Sequence, residues 1–498
     1  MKLRMKNSWF ALILILISVS ACDSKFEEIN TNPNAVTELD AEYLFANAVL
    51  QTMRGNNNLE LQFPFGAQYA HMYVGRNNRT FIDRYYDYFE SDSYKSLFEN
   101  FYYGPIRLLE ETKRLTEPGG EQANEVRYAM AQVVAMVNYA RLADAYGNIP
   151  YKEGGIGQEG VLFPKYDSVE EIYTSMLNEL DGIAMLLANA NAEMGFPGAD
   201  PLYDNNLGNW SRFANSLRLR LAMRARFKVP DLTGPIIQKC LTLPLIEDNS
   251  QNAWNENQDS DVDEFSNPIY GQYNYWQWGM SEFFIDKLKT TQDPRLPVFA
   301  KPNKSKGEYV GIPNGLSDAA LLSWGNWNGV SKPNDMLVGR AAPIYLLTAS
   351  EIWFMKSEAA LFNITDGDAN TFYQTGIRKS LEQWGISFEQ IEAYFAIPEN
   401  VNLSGTQEQK LEQISTQLWI SYASNMTEAW ANIRRTGYPK LPVRTEPKFS
   451  LGVTDGVLPT RLKYPSSESN INNANYLSAI EKQGPDKITT PLWWDIRN

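Results

Sequence analysis

The chain has 498 residues, 43% hydrophobic and 21% charged, a globular composition long enough for two domains or one extended helical array. A net charge of −14 argues against nucleic acid or an anionic lipid surface as a partner and leaves neutral ligands open. With one histidine and two cysteines there is no His-Glu-x-x-His pair for zinc, no Gly-x-Ser-x-Gly elbow accompanies His71, and no Gly-x-x-x-x-Gly-Lys loop cradles a nucleotide.

The N-terminus carries Lys2, Arg4 and Lys6, then an apolar run from Trp9 to Ala21, with no acid before Asp23. Residues 1–21 read as a signal peptide, because the run falls short of the roughly 20 residues that cross a hydrocarbon core. Val19-Ser20-Ala21-Cys22 resembles the bacterial lipobox, which makes Cys22 the expected lipidation site and a membrane anchor the expected attachment. Loss of three positive residues takes the net charge from −14 to −17. Only Cys240 then remains beside a lipidated Cys22, so no intramolecular disulfide is expected.

Residues 22–40, polar and turn-rich, read as a lipidated tether. Residues 41–498 read as the folded domain: a helical scaffold over about 41–230 and 345–435, an irregular aromatic-rich insertion over about 230–345, and an irregular segment over about 436–498. The clearest helix starts at Ser168, where Glu171 completes a capping box. Behind it Val169, Ile172, Tyr173, Met176, Leu180, Ile183 and Leu187 recur at steps of three and four and share one face. Further helices are expected over 91–116, 121–146, 210–228, 347–363, 368–384 and 406–435. The fold class is mostly α, built of helix pairs, and His71 reads as a packed helix histidine.

Aromatic residues crowd two stretches of the insertion, Tyr270 to Gly279 and Trp324 to Gly329. Flat rings beside amides suit sugars: the ring covers the C–H face and the amide bonds hydroxyls. The candidate ligand-binding residues are Trp276, Trp278, Trp324, Trp327, Asn274 and Asn326. The Asn-rich segments 54–58 and 75–79 read as solvated loops, and 259–264 as a solvated acidic run lacking the glycine and distal glutamate of a calcium loop. No metal or cofactor is expected. With 59 acids, spacing selects no carboxylate pair, so a glycosidase stays open beside a binder.

Several stretches together carry a resemblance: Asn30-Thr31-Asn32-Pro33-Asn34, Ala140 to Tyr151, Asp293-Pro294-Arg295, Ser350 to Ala359, Trp430 through Arg434-Arg435-Thr436-Gly437-Tyr438-Pro439, and Pro459 to Pro465. In this order, behind a lipobox, they resemble the SusD/RagB-like outer-membrane lipoproteins. The resemblance implies a tetratricopeptide-like helix scaffold with a loop-rich binding face. It implies a non-catalytic cell-surface role in binding a nutrient, most often an oligosaccharide. It also implies a SusC-type TonB-dependent transporter as partner and an outer-membrane location facing the exterior. Arg434 and Arg435 are then expected to pair with helix carboxylates as scaffold. A peptide or other nutrient as ligand, and an assembly role without ligand, stay open.

Overall fold

The computed structural model describes residues 40–75, 80–86, 92–262, 265–324 and 327–497. The leader, Cys22, the tether up to residue 39 and Asn326 lie outside the described residues.

The scaffold is helical. Its main elements are α1 (Ala41–Arg54), α2 (Arg107–Thr116), α3 (Glu125–Tyr146), α4 (Val169–Asn189), α5 (Leu207–Ala225), α6 (Pro230–Thr242), α7 (Ile269–Trp276), α8 (Glu282–Thr290), α9 (Ala349–Leu361), α10 (Ala369–Gln383), α11 (Gln407–Ser421) and α12 (Met426–Thr436). Consecutive scaffold helices pack on one another from α1 through α6, and again among α9, α10, α11 and α12, the pairwise stacking of a tetratricopeptide-like array. No helix of the described residues is long and apolar enough to cross a membrane.

Local chemistry accounts for the helix ends. Asn124 caps α3, its side chain accepting from Val126 and Arg127 N–H at 3.0 and 3.2 Å. The helix stops at Gly147, whose φ of 93° favours glycine and whose position is pressed by the Gln483 side chain. Ser168 and Glu171 form the capping box of α4, and the whole apolar stripe from Val169 to Leu187 is buried. The expected helix over 91–116 is interrupted instead. Gly104 and Pro105 sit in a π-type turn that kinks the chain between Asp92–Phe101 and α2. The expected helix over 406–435 breaks at Tyr422–Asn425 into α11 and α12. The insertion is more regular than its composition suggests, since it holds α6, α7, α8 and short strands.

Buried charges tie the helices together. Arg220 of α5 grips Glu351 of α9 through two bonds of 2.5 and 2.7 Å. Arg224 pairs with both Asp144 of α3 and Glu428 of α12. Glu358 of α9 is held between Arg226 at 2.6 Å and Arg435 of α12, which reaches it with two bonds of 2.5 and 2.7 Å. Burial alone pushes the Glu358 carboxyl up, but the two guanidinium groups overcome it and hold the pKa at about 2. Arg435 thus pairs as expected. Arg434 donates to the carbonyls of Asp144 and Thr460 at 2.6 and 2.8 Å and lies 3.6 Å from the Trp430 ring centre. Asp293 and Arg295 form another fully buried pair, and Arg295 also bonds Ser380 of α10 and Gln417 of α11, each at 2.8 Å.

Candidate functional site

Three short antiparallel ribbons organise the insertion: β1 (Tyr73–Val74) with β3 (Gly279–Met280), β2 (Ala253–Asn255) with β6 (Ile344–Leu347), and β4 (Ala300–Lys301) with β5 (Lys332–Pro333). The Met280 N–H also bonds the Ser331 carbonyl at 2.9 Å, so β3 lies beside the residues leading into β5. Segments far apart in sequence are thereby gathered at the end of α7.

At that end the chain reverses. Gln277 adopts φ 51°, and its N–H bonds the Tyr273 carbonyl at 2.9 Å. This turn carries Trp278 inward, where it is 1% exposed and meets Phe63 edge-on at 6.0 Å between ring centres. Trp278 is therefore a core residue, and its expected role as a ligand platform is corrected: no face of the ring is open. His71 is likewise packed but not helical, standing past the end of a helix with φ 52°. Asn57 and Asn58, read as loop residues, are buried in the short helix Asn56–Glu60, and Asn58 donates to the Met53 carbonyl at 2.6 Å.

Trp327 and Asn274 meet in one cleft of about 550 Å³, completed by Tyr273, Gln277, Asn328, Val330, Pro302, Lys301, Lys304 and Lys332. The size suits a small ligand, for which roughly 300–1,000 Å³ is usual. Trp327 is half-buried and lies against Gly279: a Cβ there would stand 3.2 Å from the nearest ring carbon and 2.9 Å from Val330. The Lys332 ammonium sits 3.8 Å from the Trp327 ring centre, a cation–π contact that helps fix the ring. Burial, with Asp335 nearby, raises the Tyr273 hydroxyl to about 12, so it is a neutral donor at physiological pH. An aromatic wall with amides, a phenol and ammonium groups around it can stack on a ring and bond its substituents.

The other expected site residues fall differently. Trp324 ends the helix Asp318–Trp324 and packs, half-buried, on the small cluster Val74, Ile312, Leu316 and Val330. Because Val330 also lines the cleft, Trp324 backs the wall rather than forming it. Trp276 is the last residue of α7. The three lysines were not anticipated, although Lys301 and Lys304 stand in the conspicuously basic run Lys301-Pro302-Asn303-Lys304-Ser305-Lys306 of an acidic chain.

Of the other cavities, two carry groups that bear on function. One of about 480 Å³ is bordered by Tyr103, Leu162 and Ile471, all more than 60% exposed, with Arg107, Glu153 and Glu468. The other, about 150 Å³, holds His71, Glu282, Asp286 and Arg444. There burial and the neighbouring Arg444 hold the His71 imidazole well below its ordinary value, so it is neutral. Burial, then Asp286, raises the Glu282 carboxyl. That arrangement suits acid–base chemistry in kind, but the cavity is below the size range of ligand pockets.

A family model described as "Starch-binding associating with outer membrane", SusD-like, matches residues 33–465. Among solved structures, a chitin-binding protein is 27% identical with TM-score 0.80, covering 92% of this chain and 100% of its own. A chitin-binding SusD homolog from Flavobacterium johnsoniae is 25% identical, TM-score 0.79, covering 92% and 99%. A SusD homolog from Bacteroides uniformis is 27% identical, TM-score 0.74, covering 92% and 99%. No curated protein sequence matches the chain.

Proposed function

The chain belongs to the SusD-like family of surface proteins associated with the outer membrane, and on that premise we propose that it is a non-catalytic lipoprotein that captures an oligosaccharide in the Trp327 cleft and delivers it to a SusC-type TonB-dependent transporter. The observation that carries the reading is the meeting of Trp327, Asn274, Gln277, Asn328 and Tyr273 around one cleft of about 550 Å³. The ring offers an apolar platform, the amides can both donate and accept, and the neutral phenol donates. Two similar structures are named for chitin binding, so chitin oligosaccharides belong in the first ligand panel.

Cys22 supplies the tether in this reading. One acyl chain binds a membrane only marginally, at about 0.8 kcal/mol per buried CH₂, and two or more hold it firmly. Mass spectrometry of the mature N-terminus should find an acylated Cys22, and an unmodified start downstream of it would remove the anchor from the proposal.

The binding test is isothermal titration of neutral and charged oligosaccharides against the wild type and Trp327→Ala. Stripping one stacked ring should cost about 1–3 kcal/mol, roughly a 5- to 150-fold loss of affinity. Equal affinity in the variant would sink the assignment of the cleft. The rival reading is a hydrolase using Glu282 and Asp286, and it requires new reducing ends when glycans are incubated with the protein.

A further inference from the structure

We propose that the Trp327 cleft selects oligosaccharides carrying anionic groups, carboxylate or sulfate, over neutral chains. The inference rests on reading that cleft as the glycan site and names the class of glycan it takes.

Charge is the first argument. The chain as a whole is at −14, yet Lys301, Lys304 and Lys332 all line this cleft, and no carboxylate of the described residues lines it, although Asp335 pairs with Lys301. A cation-lined concavity in an acidic surface concentrates field on whatever anion enters it.

Register is the second. In the ribbon of β4 with β5, Lys301 and Lys332 are direct cross-strand partners. Partners directly opposite share one face of a ribbon with Cβ atoms about 4.5–5.5 Å apart, and like charges so placed are destabilising. Two local devices offset this. Lys301 reaches Asp335 at 2.6 Å, with both side chains well exposed, 41% and 70%. Lys332 lies over the Trp327 ring. An exposed pair of that kind is weak and yields to a competing anion. Lys304 stands at the exposed start of a tight turn in which Asn303 Oδ1 accepts from the Lys306 N–H at 2.8 Å, and it forms no ion pair among the described residues. A neutral sugar gives Lys301 and Lys304 only hydroxyl oxygens. A uronate or sulfate ester in the cleft gives Lys304 a counter-charge and competes with Asp335 for Lys301.

The experiment is titration of the full mature chain with three tetrasaccharides: chitotetraose, which is neutral, tetragalacturonate, which carries carboxylates only, and a chondroitin sulfate tetrasaccharide, which adds sulfate. At about 0.1 M salt, where charges reach about 10 Å, at least one anionic probe should bind roughly tenfold more tightly than chitotetraose, and the margin should collapse at about 1 M, where they reach about 3 Å. Lys304→Gln with Lys301→Gln should remove the margin and its salt dependence, with the melting temperature in place. A preference for galacturonate assigns carboxylate as the recognised group, and a further gain with the chondroitin probe assigns sulfate. Chitotetraose binding as tightly as both anions at low salt, or a margin that survives the double lysine variant, overturns the inference. Trp327→Ala separates the two levels. If it weakens chitotetraose while the lysine variants change nothing, only the charge selectivity is wrong. If it leaves all three probes unchanged, the cleft is not the glycan site and both readings fall.

Discussion

Replacing Glu358 with Gln tests the claim that buried charge holds the helical frame together. Glu358 is 1% exposed and bonded by both Arg226 and Arg435. Gln keeps the volume but offers one acceptor where there were two, and turns an amide donor toward a guanidinium. The fall of the carboxyl from 4.5 to about 2 corresponds, at 1.36 kcal/mol per pH unit, to roughly 3 kcal/mol of stability. Removing one partner of a buried pair ordinarily costs about 3–5 kcal/mol, so the two routes agree. Unfolding entropy of about 2.1 cal/mol/K per residue makes 1 kcal/mol worth about 1 °C in a chain of this length, and the variant should melt about 3–5 °C below wild type at neutral pH. Because the folded value lies below the unfolded one, this stability is complete above about pH 4.5 and is lost as the pH falls toward 2. The difference between the two proteins should therefore narrow by roughly 2 kcal/mol, about 2 °C, between pH 5 and pH 3. Scanning calorimetry of both proteins at the two pH values measures it. A gap that stays constant, or widens at pH 3, would refute the ion-pair account of Glu358.

Two neighbours in sequence should behave in opposite ways. Trp278→Ala removes a buried ring and should cost about 3–5 kcal/mol in a melting experiment, while titration well below the new midpoint finds glycan affinity nearly unchanged. Gly279→Val should do the reverse: the new side chain overlaps Trp327 and Val330, costs about 1–3 kcal/mol of packing, and weakens glycan binding as Trp327→Ala does. Wild-type affinity in Gly279→Val would mean that the ring position does not matter for the ligand.

What the sequence made legible was local. The α4 helix could be read to its first residue because a capping box and a stripe with a 3.6-residue period need nothing from the rest of the chain. The kink at Gly104 and the break at Tyr422–Asn425 were missed because helical periodicity continues across both. In the insertion, composition shows where the aromatic residues cluster along the chain but not which way each ring faces. Trp278 lies between Gln277 and Gly279 and Trp327 between Asn326 and Asn328, so local composition reads the two alike. One left-handed residue, Gln277, turns Trp278 into the core, whereas Trp327 stays at the surface against Gly279. Lys301 and Lys332 belong to one ribbon only through strand pairing, and no short-range pattern announces a two-residue strand.

The residues that carried the family resemblance and the residues that line the cleft are different sets, and their environments explain why. Asp144, Asp293, Arg295, Glu358, Arg434 and Arg435 are all buried; Asp293 bonds Arg295 two residues on, and the others bond groups on other segments of the frame. A buried charge cannot lose its partner without a cost of several kcal/mol, so a chain that keeps the frame must keep the pairs together. The exposed cleft residues answer to no such constraint. Asn274 and Lys304 are exposed, and exchanging either costs the fold little. Chains about 25% identical share this frame at a TM-score near 0.8. On the proposal that the Trp327 cleft takes the ligand, the ligand has to be argued from that wall: one ring, three amides, a neutral phenol and three lysines.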